Sequence, residues 1–249
     1  MILRLEQISK RYPRPRGKCK VALDGVSLEV DRGQIAGVFG PSGAGKTTLL
    51  RIAAGLQTPD DGIVTFDGEH LDTMSASERM RFRRREVACV WSEQPLQERL
   101  DVLDHVALPL LVDGRDRRHA TRLASEALLA CEASHCAHAE LHELSGGEHQ
   151  RVAIARAIVT EPRLLLADCP TSNLSVIEQE EIMLLLAGLA YEARTAVLIT
   201  DRNLQALMRA DPIWYLRDGR LVDTEPIDKA GRVYPFPSAS SRRASSADA

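Results

Sequence analysis

Gly40-Pro-Ser-Gly-Ala-Gly-Lys-Thr47 follows the apolar run Gln34 to Phe39 and opens a helical pattern from Lys46 to Ala54. A strand that turns through three glycines into a helix leaves free backbone amides at the helix start. The helix dipole there also favours an anion. The spacing GxxxxGK[ST] is met without a mismatch, and in that pattern the lysine is a point charge for β- and γ-phosphates while the threonine hydroxyl is a Mg²⁺ ligand. A chain organised around this loop is confined to an α/β fold in which a buried strand feeds the loop.

The rest of the chain supplies the layers such a fold needs. Leu164 to Ala167 and Ala196 to Thr200 are short apolar runs suited to a parallel sheet covered on both faces. Asp168 ends the first of them and is the expected carboxylate for Mg²⁺, opposite Thr47. Ile2 to Ile8 and Val26 to Val30 alternate apolar and polar residues, which predicts half-solvated antiparallel strands beside the nucleotide site. After the turn Thr58-Pro-Asp-Asp-Gly62 come a short strand over Ile63 to Phe66, an arginine-rich stretch over Glu78 to Glu86, and a strand over Val87 to Trp91. Asp101 to Leu141 carries leucines and alanines at helical spacing, and a further helix runs from Leu144-Ser-Gly-Gly-Glu148 through Ile158.

Composition excludes several classes. With 249 residues, 44% hydrophobic content and a net charge of -3, the chain can bury a substantial core and is not built to coat nucleic acid. The longest apolar run, Ile182 to Ala190, is about half of the roughly 18 to 20 residues a membrane span requires. No signal-peptide core is found at the N-terminus, so a soluble, cytoplasmic protein is expected. Five cysteines without regular spacing (Cys19, Cys89, Cys131, Cys136, Cys169) read as reduced thiols.

Leu144-Ser-Gly-Gly-Glu-His-Gln-Arg-Val-Ala-Ile-Ala-Arg-Ala157 closely resembles the signature motif and following helix of ATP-binding cassette (ABC) proteins. With the glycine loop upstream and Asp168 downstream, the resemblance covers about residues 1 to 222. Asp104-His-Val-Ala-Leu-Pro-Leu-Leu111 and Leu166-Ala-Asp168 look most like the lipoprotein-release, macrolide-export and cell-division branch, the LolD, MacB and FtsE types. The resemblance implies a P-loop NTPase ABC-type nucleotide-binding domain, with a mixed sheet core, an antiparallel β subdomain and a helical subdomain over about 92 to 160. Residues 223 to 249, rich in serine, are expected to form a disordered tail. It also implies a head-to-tail dimer. Each ATP then lies between one subunit's glycine loop (Gly40, Pro41, Ser42, Gly43, Ala44, Gly45, Lys46, Thr47, Thr48) and the other's Ser145, Gly146, Gly147 and Glu148. Tyr12 stands where the family stacks an aromatic ring on adenine.

Four positions depart from the family pattern, all around the attacking water. Cys169 occupies the place of the general-base glutamate, and the next glutamate is Glu178. No histidine follows His149, so the switch histidine after the last core strand is replaced by Asp201, which is expected to repel the γ-phosphate. Ser92 stands at the Q-loop glutamine, with Gln94 the nearest substitute, and Ser175 ends the D-loop in place of aspartate. Losing a positioned base removes about 10²- to 10⁴-fold in rate. The expectation is a site that binds Mg·ATP and hydrolyses it very slowly or not at all. It would be paired with a second, catalytically intact nucleotide-binding subunit and an integral membrane subunit on the inner face of the membrane. The alternative is a homodimeric ATP-gated switch of a membrane or envelope protein. Cys131, His135, Cys136, His138 and His142 could suggest zinc, but packing in the helical subdomain is the favoured reading. Arg11 to Lys20 and Arg79 to Arg85 read as solvated basic faces.

Overall fold

A computed structural model of the chain describes residues 1–13, 15, 19–92 and 100–222. The expectations for Gln94 and for the tail over 223–249 lie outside the described residues.

Two sheets organise the molecule. The first is antiparallel, in the order β2 (Cys19–Val30), β1 (Leu3–Pro13), β4 (Asp61–Phe66), β5 (Glu69–His70). The second has six strands and carries the site. β3 (Ile35–Phe39), β8 (Ala196–Asp201), β7 (Leu164–Asp168) and β6 (Val87–Val90) lie side by side and parallel, with β9 (Ile213–Arg217) parallel on the other flank of β3. β10 (Arg220–Leu221) closes that edge antiparallel to β9.

The continuous apolar runs of β7 and β8 are explained by where their alternate residues go. Successive strand side chains point to opposite faces. Leu164, Leu166, Ala196 and Leu198 enter a core shared with the antiparallel sheet and α1 (Lys46–Ala53). Leu165, Ala167, Val197 and Ile199 enter a second core, shared with α3 (Val102–Val112), α4 (Arg117–Ala130), α5 (Gly146–Ile158) and α6 (Val176–Ala193). A parallel strand with both faces covered leaves no place for a polar residue until its end, which is where Asp168 and Asp201 stand. Leu165 is completely buried. Leu165→Ala is expected to cost about 2 to 5 kcal/mol, read as a lowered urea midpoint with unchanged slope; a loss below about 1 kcal/mol would contradict this packing.

The strand boundaries differ from the sequence reading in physical detail. The first strand continues past Ile8 to Pro13 through three register irregularities, because the backbone of Gln7 at φ 52° lets the strand bend without leaving the sheet. The fourth strand starts at Asp61, where the Gly62 backbone lies so close to Glu6 and Gln7 that a Cβ would sit 2.5 Å from their carbonyl oxygens. The helical pattern of 101 to 141 is two helices, not one. Gly114 at φ 84° ends α3 after Asp113, and Asp116 restarts the chain by accepting the His119 amide at 3.0 Å. Beyond α4, short 3₁₀ turns at Ser134–Cys136 and Leu141–Glu143 lead to α5. The arginine-rich stretch forms α2 (Ala76–Arg85), started by a reciprocal Ser75–Glu78 cap.

Candidate nucleotide site

The glycine loop lies between the end of β3 and α1, and two of its glycines are required by close backbone approach. A Cβ on Gly40 would lie 2.2 Å from the Leu216 carbonyl oxygen, and one on Gly45, at φ 112°, 2.2 Å from that of Ala22. The loop wraps Lys46, whose ammonium donates to the carbonyls of Gly40 at 2.6 Å and Pro41 at 2.9 Å. Burial holds that ammonium below the usual lysine range, against the opposing pull of Cys169 and Asp168.

Asp168 is almost fully buried, yet both its oxygens have donors. Thr47 donates to Oδ2 at 2.6 Å and Thr200 to Oδ1 at 2.7 Å. The second bond follows from register, since Asp168 and Thr200 are paired partners on neighbouring strands. Thr47 and Asp168 thus form a pair of hard oxygen donors beside the loop, a set suited to Mg²⁺. Above them opens a cavity of about 490 Å³, within the range of small-ligand sites and large enough for a nucleotide. Its wall combines the phosphate loop (Ser42, Gly43, Gly45, Lys46, Thr47, Thr48) with Tyr12, Lys20 and Ala22 at one end. Ser92, Asp168, Cys169, Ser172, Asn173 and Arg202 line the rest. The Tyr12 hydroxyl donates to Gln57 Oε1 at 2.8 Å and lies 3.4 Å from Thr48 Oγ1, which anchors the ring at the mouth.

Cys169 lines this cavity next to the Asp168 carboxylate. Its backbone sits at φ 50°, an uncommon conformation for a side chain other than glycine, held by its amide donating to the Thr200 carbonyl at 2.8 Å. Burial first, then the charges of Asp168 and Asp201, push its thiol above the usual cysteine range. At neutral pH the group is an uncharged thiol and a poor proton acceptor.

Asp201 differs from its expected role. It is buried and does not line the cavity; Thr171 donates to Oδ2 at 2.6 Å, and the amides of Arg202 and Asn203 donate to Oδ1 at 2.6 and 2.8 Å. Three donors stabilise the carboxylate as an anion where it stands, and its charge still reaches Cys169 and Lys46 in the cavity wall. Ser175 likewise has a local role: it caps α6 in a reciprocal pair with Glu178. The sequence reading missed Thr171, Thr200 and Arg202 as site residues. The run Ile199-Thr-Asp-Arg202 could have flagged the last two, because polar residues at the end of a buried strand must meet something polar.

Ser145, Gly146, Gly147 and Glu148 lie away from this cavity's lining. Ser145 caps α5; Glu148 accepts its amide at 2.9 Å and its hydroxyl at 2.7 Å, and the Glu148 amide donates back at 3.3 Å. With the two Ser145 bonds as the main cause and His135 at 2.9 Å adding to them, the Glu148 carboxyl is lowered from 4.5 to about 2. A depressed carboxylate contributes stability above its unfolded value and loses it as pH falls through the folded one. The stability gap between the wild type and Glu148→Gln is therefore expected to shrink between pH 4.5 and 2 in denaturant titrations; a constant gap would contradict the cap. Of the suspected metal cluster, His135 and Cys136 come together with Glu148, their ligand atoms within 4.8 Å of one another. His138 instead approaches Asp101 and His142 approaches Glu140, while Cys131 is buried in the helical core.

A phosphate loop, a Thr–Asp oxygen pair and a capped glycine helix on a mixed sheet define a P-loop nucleotide-binding cassette. The ABC transporter family profile matches residues 23–172, and the chain belongs to that family as an ATP-binding subunit. Among its relatives is the lipoprotein-releasing system ATP-binding protein LolD of Hyphomonas neptunium, 35% identical over 222 residues, 89% of this chain and 97% of that protein. LolD 2 of Caulobacter vibrioides is 36% identical over 220 residues, 88% of this chain and 96% of that protein. Among solved structures, the dimeric MJ0796, a bacterial ABC transporter cassette, superposes with a TM-score of 0.82 at 32% identity, covering 88% of this chain and 96% of its own. The dimeric post-hydrolysis state of MJ0796 bound to ADP and Pi gives 0.82 at 30% identity, covering 95% and 99%. The branch inferred from sequence is thus the one to which the chain is similar.

Proposed function

We propose that this subunit holds Mg·ATP at a site impaired in hydrolysis and completes the site of a second, catalytically intact cassette through its own signature helix. The observation that carries the reading is Cys169: a neutral thiol in the cavity wall beside Asp168, where the family resemblance calls for a carboxylate base. Lys46 and the loop amides supply phosphate contacts, Thr47 and Asp168 the oxygens for Mg²⁺, and Tyr12 a ring for adenine. Bound Mg²⁺ would neutralise part of the phosphate charge. Among the described residues that line the cavity, Asp168 is the only carboxylate.

Gly146 and Gly147 open a helix of 13 residues whose start lies outside this chain's own cavity lining and already attracts a carboxylate, the Gly147 amide donating to Glu178. Placing it over a partner's phosphates gives it a purpose. The relatives named for lipoprotein release support work at a membrane, on the cytoplasmic face and through a separate integral membrane subunit. Among the described residues no helix is long and apolar enough to cross a bilayer. A groove of about 420 Å³ at the sheet edge beside Trp91, floored by Val87, Pro109, Val112 and Ala157 and rimmed by Arg83, Arg84 and Arg156, supports a seat for that subunit's cytoplasmic segment. The test is chemical. After incubation with Mg·ATP and rapid desalting, the nucleotide kept by the purified chain should be ATP; recovery of ADP in stoichiometric amount would contradict the reading.

A further inference from the structure

The nucleotide cavity contains a cation that the phosphate loop does not supply. Arg202 lies in the same wall as Lys46, Thr47, Asp168 and Cys169, directly after the end of β8. Its place is fixed by the backbone before it. The Gly40 amide donates to the Asp201 carbonyl at 3.2 Å, which joins the end of β8 to the first residue of the phosphate loop. The Asp201 carboxylate, held by Thr171 Oγ1, takes the Arg202 and Asn203 amides and so sets the turn from which the arginine side chain departs.

Among the described residues the Arg202 guanidinium has no hydrogen bond or ion pair, although the adjacent carboxylate is an obvious candidate. Asp201 is already committed to its three donors and is not part of the cavity lining. An exposed arginine is ordinarily a solvated surface charge. Arg202 differs because it lines the same cavity as Lys46 and the glycine loop, with the Asp201 carbonyl before it tied to Gly40. Two cations facing one cavity repel each other, and a polyanion between them turns that repulsion into attraction.

We propose that Arg202 binds the terminal phosphate of the nucleotide and sets the preference of this site for triphosphate over diphosphate. The inference rests on the nucleotide-holding reading above and deepens it. The guanidinium fork can donate to two phosphate oxygens at once, which a single donor cannot match. Asp201 then acts as a positioning residue, its carboxylate orienting the arginine through the backbone. A site that has lost its base and keeps a strong terminal-phosphate contact is one that favours keeping ATP.

The experiment measures the affinities of Mg·AMP-PNP and Mg·ADP by competition against a fluorescent nucleotide, for the wild type, Arg202→Ala and Arg202→Lys. Loss of a charge-assisted bond predicts about tenfold weaker AMP-PNP binding by Arg202→Ala, with ADP changed by less than about twofold. Arg202→Lys should recover part of the loss, since it restores charge without the fork. Thermal unfolding of the free variants reports whether each is folded, and their exposed, unpartnered side chain predicts midpoints close to the wild type. An equal loss for both nucleotides, or no loss for either, would overturn the proposal alone. A wild type that binds neither nucleotide would overturn both the proposal and the reading beneath it.

Discussion

Gly45→Ala is expected to weaken nucleotide binding by about 100-fold or more, equivalent to about 2.7 kcal/mol. Two costs act together. The backbone at φ 112° is one that residues with a Cβ rarely adopt, and the added carbon would lie 2.2 Å from the Ala22 carbonyl oxygen and 2.9 Å from Leu23 Cδ2. The nearer contact is backbone in β2, so the loop must move, and it carries Lys46 and Thr47 with it. Gly43 gives the internal comparison. It also has a positive φ, 79°, but a Cβ there meets nothing within 4 Å. Gly43→Ala should therefore show only the conformational cost, about 1 kcal/mol or roughly fivefold. Equilibrium titration with a fluorescent nucleotide separates the two. Equal effects would mean that the close approach to Ala22 does not shape the site.

The second large effect is expected in a partner's site. Gly146 is the first residue of α5 and is exposed, and a Cβ on it would meet Leu174 Cδ2 at 3.3 Å and the Asn173 carbonyl oxygen at 4.0 Å. Aspartate is well tolerated in the first turn of a helix, so Gly146→Asp should fold. It places a carboxylate where the proposed contact with a partner's phosphates would lie. In a complex purified with the proposed second cassette, turnover should fall by about 10²- to 10³-fold, the scale of losing a transition-state contact. Nucleotide affinity of this chain's own glycine loop should hardly change, because Gly146 is absent from that cavity's lining. Unchanged turnover, or a loss confined to this chain's own cavity, would remove the role in trans.

The layers of the fold were legible because burial on both faces forces a readable pattern. Leu164 to Ala167 and Ala196 to Thr200 suited a parallel sheet covered on both faces, which is where they lie, and the loop from Gly40 to Thr47 marked the ligand end of the sheet. The helical pattern of 101 to 141 was legible but its division was not drawn, although Asp113-Gly-Arg-Asp116 carries no apolar residue and Gly114 takes a left-handed backbone between the two helices. At the site, residue identity was visible and partnership was not. The donors of Asp201 were hidden because Thr171 is 30 residues away and joins it only through the fold. Ser175 looked like a missing contact, yet it retains the capping chemistry of the aspartate it replaces. Arg202 was passed over because a cation at a strand end carries meaning only once the cavity around it is known.

The most direct measurement is turnover by the purified chain at saturating Mg·ATP, with bound nucleotide quantified in the same sample and an intact cassette assayed beside it. One ATP should be bound per chain, while hydrolysis runs about 10²- to 10⁴-fold below the intact cassette, as expected for a site that has lost its base. Cys169→Glu alone should leave most of that deficit, since Ser92 is unchanged in the cavity wall. Wild-type turnover comparable to the intact cassette would contradict the claim that this subunit holds ATP and leaves hydrolysis to its neighbour.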